Sequence, residues 1–122
     1  MTTWIPFAVL LALTAGYMYM KRSGLISANE AAEHLQNGAV VIDVRSANEF
    51  ESGHLLQAYN FPLDRIEMTV PGAVRDKSKV LLLHCSTGVR SNIAKKKLEG
   101  LGYKNVFNLG SYERAGKILL GR

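Results

Sequence analysis

The chain of 122 residues has a single cysteine, Cys85. One cysteine cannot close an internal disulfide, so nothing in the sequence calls for an oxidising compartment. Charged side chains are missing from the first twenty residues, and the formal net charge of +5 belongs wholly to residues beyond Met20. Zinc-ligand spacing is absent too, as is any platform of aromatic and basic residues. The basic side chains are dispersed and interleaved with ten acidic ones. The expectation is therefore no nucleic-acid partner, no metal site and no cofactor.

The uncharged start, Trp4 to Met20, is long enough to suggest one N-terminal transmembrane helix, at the short end of what a bilayer core of roughly 30 Å demands. Trp4, Tyr17 and Tyr19 are placed to sit at the two interfaces, and Lys21 with Arg22 puts the next domain in the cytoplasm by the positive-inside rule. A cleaved signal peptide is the rival, with a periplasmic domain as its consequence. Met1-Thr2-Thr3 lacks the positive start such a peptide needs, and no A-x-A site comes after the apolar run. The chain thus divides into an anchor over residues 1–22 and one domain over residues 23–122.

Strand and helix signals alternate along that domain. Ser27-Ala28-Asn29-Glu30 and Ser46-Ala47-Asn48-Glu49 are capping boxes that open helices, and Asn37-Gly38 is a suitable stop for the first. Ala39 to Val44 is a buried strand, Ala58 to Phe61 a short one ended by Pro62, Val80 to Leu83 the most apolar after the first, and Asn105 to Leu109 the last. Pro71-Gly72 is expected to be a turn. From Ser91 to Leu101 an amphipathic helix places Ile93, Ala94, Leu98 and Leu101 on one arc. Lys97 falls in the same arc, its stem covering apolar surface while its ammonium reaches outward. Such alternation predicts an α/β class with a largely parallel sheet, and ligands of such sheets bind at the carboxyl ends of the strands. Asp43, Arg45 and Cys85 stand at those ends.

An isolated cysteine in an intracellular chain is usually a buried, inert small hydrophobe. Cys85 is placed differently. It leaves a strand, and Ser86-Thr87-Gly88-Val89-Arg90 carries the chain into a helix whose first N–H groups and positive dipole end point back at the sulfur. Those donors, and the permanent cation of Arg90, favour the thiolate that nucleophilic chemistry needs. Gly88 gives the loop its conformational freedom.

These residues resemble the signature of the rhodanese superfamily. Asp43-Val44-Arg45, Glu49-Phe50, Gly53-His54, Ala58, Asn60 and Pro62 are similar to its first pattern. Cys85-Ser86-Thr87-Gly88-Val89-Arg90 is similar to its C-x-x-G-x-R active-site loop, and Ser91, Ala94, Leu98 and Gly102 to the residues usual after that loop. Gln57, Ser111 and Ala115 depart from the pattern, the last two where a glycine and a tryptophan are common. The resemblance implies a five-stranded parallel sheet flanked by helices and a sulfurtransferase whose cysteine carries a persulfide.

On that footing Cys85 is the expected nucleophile. Ser86, Thr87, Gly88, Val89 and Arg90 are the expected substrate cradle, with Arg90 holding the sulfonate of thiosulfate or a related donor and a thiol or cyanide as acceptor. Asp43 and Arg45 are expected to support the loop from behind, Arg45 by pairing with Glu49. His84 adjoins Cys85 on a strand and should face the other way. His54 is not expected to act, and Lys95-Lys96-Lys97 is a solvated face. Cysteine phosphatases use a related loop with one more residue before the arginine, so the shorter step from Cys85 to Arg90 favours sulfur over phosphate. A membrane-tethered persulfide carrier or sensor would share every one of these residues.

Overall fold

Four apolar runs form four parallel strands: β1 (Val40–Asp43), β2 (Ala58–Asn60), β3 (Leu81–His84) and β4 (Val106–Gly110), side by side in the order β2-β1-β3-β4. The computed structural model describes residues 4–121, with residues 19–23 in backbone only. The expectations attached to Met1-Thr2-Thr3, and to the side chains of Tyr19, Met20, Lys21 and Arg22, lie outside the described residues.

The helices are α1 (Ile5–Ser23), α2 (Ala28–Gln36), α3 (Ala47–Glu51), α4 (Ile66–Ala73), α5 (Val89–Gly100) and α6 (Tyr112–Leu119), with one 3₁₀ turn at Leu63–Arg65. Side chains alternate across β3, so Leu81, Leu83 and Cys85 enter one core with Ala94 and Leu98 of α5 and Ile66 and Val70 of α4. Leu82 enters the other, with Ala31 of α2 and Ala115 and Ile118 of α6. The sheet is thus covered on both faces, which explains why its strands are continuous apolar runs.

The sheet has four strands among the described residues, not the five expected. Beside β4 the place of a fifth is taken by one isolated parallel bridge, Leu25 to Asn108. Ile26 N–H donates to the Asn108 carbonyl at 3.0 Å and Asn108 N–H to the Gly24 carbonyl at 3.3 Å. The segment cannot lengthen into a strand, because α1 ends at Ser23 and Ser27 already caps α2.

The N-terminal expectation is corrected as well: among the described residues no helix is long and apolar enough to cross a membrane. At about 1.5 Å per residue the uncharged run reaches only about 25 Å, and Thr14, Gly16 and Tyr17 dilute its apolar character. The single-pass placement of residues 4–20, and the localisation drawn from it, fall with that expectation.

Two smaller differences have local causes. Helix α4 runs through Pro71 rather than turning there, and closes with Val74 N–H on the Val70 carbonyl at 2.7 Å. The donor that proline lacks would have served the carbonyl of Glu67, an exposed residue that water can reach. Helix α5 buries Ser91, Ala94 and Leu98, and Ile93 stays 43% exposed because the stripe facing the sheet starts from Ser91.

On the face away from Cys85, His84 is fully buried. Its Nδ1 lies 3.4 Å from the Cys85 carbonyl oxygen, so Nδ1 carries the proton and donates. Nε2 lies 3.8 Å from Asp43 Oδ2, beyond hydrogen-bond reach, and has no partner among the described residues. Burial pushes the imidazole below its ordinary value against the pull of Asp43. The folded state therefore refuses a proton that the unfolded chain accepts below about pH 6.5. The stabilisation is complete above that pH and shrinks as the pH falls through it. Urea midpoints should decline from pH 7 to pH 5.5, and a His84→Gln variant should lose part of that slope; an identical slope would contradict the assignment.

Candidate active site

Strand β3 delivers Cys85 to the carboxyl edge of the sheet, and the chain then turns back to start α5. The turn depends on Gly88, whose φ of +98° is left-handed. A Cβ at Gly88 would stand 3.2 Å from the Cα of Gly110. The loop is braced against the end of β4 by Cys85 N–H to the Gly110 carbonyl at 3.2 Å, by Tyr112 N–H to the Ser86 carbonyl at 3.3 Å, and by the antiparallel bridge between Thr87 and Ser111.

Gly88 is the N-cap of α5 and has no side chain to cap it. The sulfur takes that role. Cys85 Sγ accepts from Gly88 N–H at 3.0 Å and from Ser91 N–H at 3.4 Å, and Ser91 Oγ lies 3.5 Å away. The donor at Ser91 is the third amide of the helix, the one that a capping side-chain oxygen ordinarily takes. Cys85 is fully buried, and burial alone would push the thiol up. The hydrogen bonds of the Ser91 hydroxyl and of the Ser91, Gly88 and Thr87 amides outweigh burial and set the thiol below its ordinary value.

The remaining loop residues divide by role. Ser86 and Thr87 are exposed at the rim, and Val89 turns its side chain to solvent, 64% exposed. Arg90 does not lie free over the sulfur. Its Nη1 and Nη2 grip Glu49 Oε1 at 2.7 Å and Oε2 at 3.0 Å, and Nη2 also reaches Ser86 Oγ at 3.0 Å. Ser86 Oγ in turn donates to Glu49 Oε2 at 3.1 Å. This fork, with further bonds from Ser46, holds the Glu49 carboxyl well below the usual carboxylate range and raises Arg90, which also feels the Cys85 sulfur.

Glu49 thus belongs to Arg90 and not to Arg45, contrary to the expectation from sequence. Arg45 pairs with Asp43, Nη2 to Oδ2 at 2.8 Å and Nε to both oxygens, donates to the Gly53 carbonyl at 2.7 Å, and lies 4.6 Å above the Tyr112 ring. Arg45 N–H closes the turn on Asp43 Oδ1 at 2.9 Å. Asn60 Nδ2 donates to the Asp43 and Arg45 carbonyls at 3.0 and 2.9 Å. Together these bonds fix the exit of β1 and so place Ser46, whose capping box with Glu49 is fully formed. Asp43 and Arg45 stand with His84 on the far side of the sheet. His54 stacks on Phe50 and is exposed, away from the sulfur.

Three residues near the sulfur have roles that the sequence does not assign. Glu49 is visible there as a cap, as part of the first pattern and as an expected partner of Arg45, not of Arg90. Ser91 is visible as the residue after the loop. Asn108 is the one polar residue in a strand of otherwise apolar and glycine positions, and that is its signal. Beside Arg90 lies an open groove lined by Val44, Ser46, Pro62, Leu63, Asp64 and Lys97. Lys97 pairs with Glu67 at 3.5 Å.

Comparison with known proteins covers most of the chain. The family profile described as Rhodanese-like domain matches residues 27–115. The protein YqhL of Bacillus subtilis (strain 168) is 33% identical over 110 residues, 89% of this chain and 86% of its own. Thiosulfate sulfurtransferase PspE of Escherichia coli (strain K12) is 35% identical over 80 residues, 66% of this chain and 71% of its own. The structure of human single-domain sulfurtransferase TSTD1 superposes with a TM-score of 0.65 at 26% identity, over 75% of this chain and 94% of that one.

The loop geometry makes a direct prediction. A Gly88→Ala substitution forces a side chain into left-handed backbone and against Gly110, so it should cost about 1 kcal/mol or more of stability. Because it also draws the Gly88 N–H from the sulfur, the midpoint of thiolate absorbance against pH should rise. An unchanged midpoint in the folded variant would contradict the role given to that amide.

Proposed function

The chain belongs to the rhodanese-like domain family, whose members include sulfurtransferases, and on that premise we propose that it moves sulfane sulfur through a persulfide on Cys85. The observation that carries this reading is the buried sulfur held by the Gly88 and Ser91 amides at the start of α5, with Arg90 at the rim. A thiolate so placed is a nucleophile, and the same donors suit the anionic outer sulfur of a persulfide once it forms.

With thiosulfate as donor, the Cys85 thiolate attacks the outer sulfur. A bond forms between the two sulfurs, the bond to the sulfonate sulfur breaks, and its electron pair leaves with sulfite. An acceptor thiolate, or cyanide, then attacks the outer sulfur of the persulfide, and the electron pair of the broken bond returns to Cys85. No external oxidant or reductant enters either step. Arg90 is the cation available to the sulfonate, and Ser86 and Thr87 offer rim contacts. The groove beside Arg90, lined by Val44, Ser46, Pro62, Leu63, Asp64 and Lys97, supports an approach for an acceptor with an apolar body.

One observation favours a second reading. Arg90 is already paired in both prongs by Glu49, so a dianionic donor must displace or share a carboxylate. That suits a persulfide carrier or sulfur sensor, which receives sulfur from another persulfide and turns over small donors poorly.

Intact mass after incubation with thiosulfate tests the proposal. The protein should gain one sulfur atom, lose it to a thiol reductant, and gain none as Cys85→Ser. Steady production of thiocyanate from thiosulfate and cyanide selects the enzyme. Loading by a low-molecular-weight persulfide but not by thiosulfate selects the carrier. No gain from either donor would overturn both.

A further inference from the structure

Ser91 has one hydroxyl proton and three acceptors around it. Its Oγ lies 2.6 Å from Asn108 Oδ1, 3.1 Å from the Gly88 carbonyl oxygen and 3.5 Å from Cys85 Sγ. Ser91, Asn108 and Cys85 are all buried. The Asn108 carboxamide has a determined orientation, since Oδ1 also accepts from Gly110 N–H at 2.8 Å while Nδ2 donates to the Gly88 carbonyl at 3.1 Å. The Gly88 carbonyl is further served by Asn92 N–H at 3.2 Å. Its lone pairs are taken, and the shortest contact is the one to Asn108. While Cys85 is a neutral thiol, Ser91 therefore donates to Asn108 and turns a lone pair toward the sulfur. Once the sulfur is ionised it is the strongest acceptor within reach, because hydrogen bonds to charged groups exceed those between neutral ones. Asn108 Oδ1 is not orphaned by losing that proton, for Gly110 N–H remains on it.

We propose that Asn108 is a positioning residue that competes with the Cys85 sulfur for the Ser91 hydroxyl proton. It holds the proton while Cys85 is a thiol and yields it when the thiolate forms. It takes the proton back when the sulfur becomes the uncharged inner atom of a persulfide. Each exchange is a rotation about the Ser91 Cβ–Oγ bond, and no bond to hydrogen breaks; the thiol's own proton goes to solvent. Every ionisation of Cys85 gives up the Ser91 to Asn108 bond, so Asn108 holds the thiol higher than the loop donors alone would set it. That moderation suits a sulfur which must both attack and leave, since a very acidic thiol is a poorer nucleophile. The inference rests on the reading of Cys85 as the sulfur-carrying nucleophile.

The charged groups around the sulfur are Arg90 on α5 and Glu49 on α3, which grips it. His84, Asp43 and Arg45, from β3 and the end of β1, occupy the other side of the sheet. All are retained in the variants used as tests. The full chain is titrated by thiolate absorbance as wild type, Asn108→Leu, Ser91→Ala and the double variant. Asn108→Leu should lower the midpoint by about half a pH unit, less than a whole hydrogen bond. The Gly88 carbonyl, released from Asn108 Nδ2, becomes a weaker competitor for the Ser91 proton at 3.1 Å. The same substitution in the Ser91→Ala background should leave it unchanged. A midpoint unchanged or raised by Asn108→Leu, or an equal drop without the Ser91 hydroxyl, would overturn the proposal.

Should Asn108→Leu not fold, the wild-type Asn108 side-chain amide ¹⁵N resonance serves instead. It should move with pH at the thiolate midpoint and stay fixed in Cys85→Ala. A resonance constant through the thiolate titration would overturn the proposal. Both experiments read ionisation and not sulfur transfer, so they stand apart from whether thiosulfate loads Cys85.

Discussion

A helix begins at Gly88 with no side chain able to cap it, and the sulfur of Cys85 supplies the acceptor. That contact settles the local competition of energies. Burial disfavours the thiolate, but hydrogen bonds to a charged acceptor contribute roughly 1.5–3 kcal/mol each, and the helix end adds roughly 0.3–1 kcal/mol. Donors converging from Ser91, Gly88 and Thr87 therefore win, in line with a thiol set below its ordinary value. The same geometry makes the helix depend on the sulfur, which is the acceptor for the amides of both Gly88 and Ser91.

The rest of the fold serves this contact from two sides. Beneath the loop, β4 offers backbone support through Gly110, and Asn108 reaches both Gly88 and Ser91 from the same strand. From the flank, the exit of β1 is locked by Asp43, Arg45 and Asn60, and that lock places the cap of α3 where Glu49 meets Arg90. Asp43 and Arg45 thus reach the loop through a chain of hydrogen bonds and not by touching the sulfur. Glu49 is the point where the two supports join, and it leaves the rim nearly balanced in charge.

Much of this is legible in the sequence because it depends on spacing. Strand runs, two serine caps and the step from Cys85 to Arg90 are local patterns, and alternation along a strand correctly turns His84 away from Cys85. The sequence hides whatever depends on distant neighbours. Whether Glu49 takes Arg45 or Arg90 is decided by the way β1 and β3 align, which no spacing reveals. Asn108 is hidden for the same reason: Gly88 and Ser91, which it meets at the sulfur, precede it by many residues. The fifth strand implied by the resemblance fails on a local matter, the close approach of α1 and α2 on either side of Leu25. The reading of Trp4 to Met20 as a span fails on length and dilution, since absence of charge is not sufficient for a span.

The central claim is that backbone donors at the start of α5 hold an anionic sulfur. Amide ¹H and ¹⁵N shifts of Gly88 and Ser91, tracked from pH 5 to pH 10, test it directly. The account predicts that both resonances move together, with one midpoint below the free-cysteine value of about 8.5, and that neither moves in Cys85→Ala. Resonances that stay still, or that move only above that value, would contradict it.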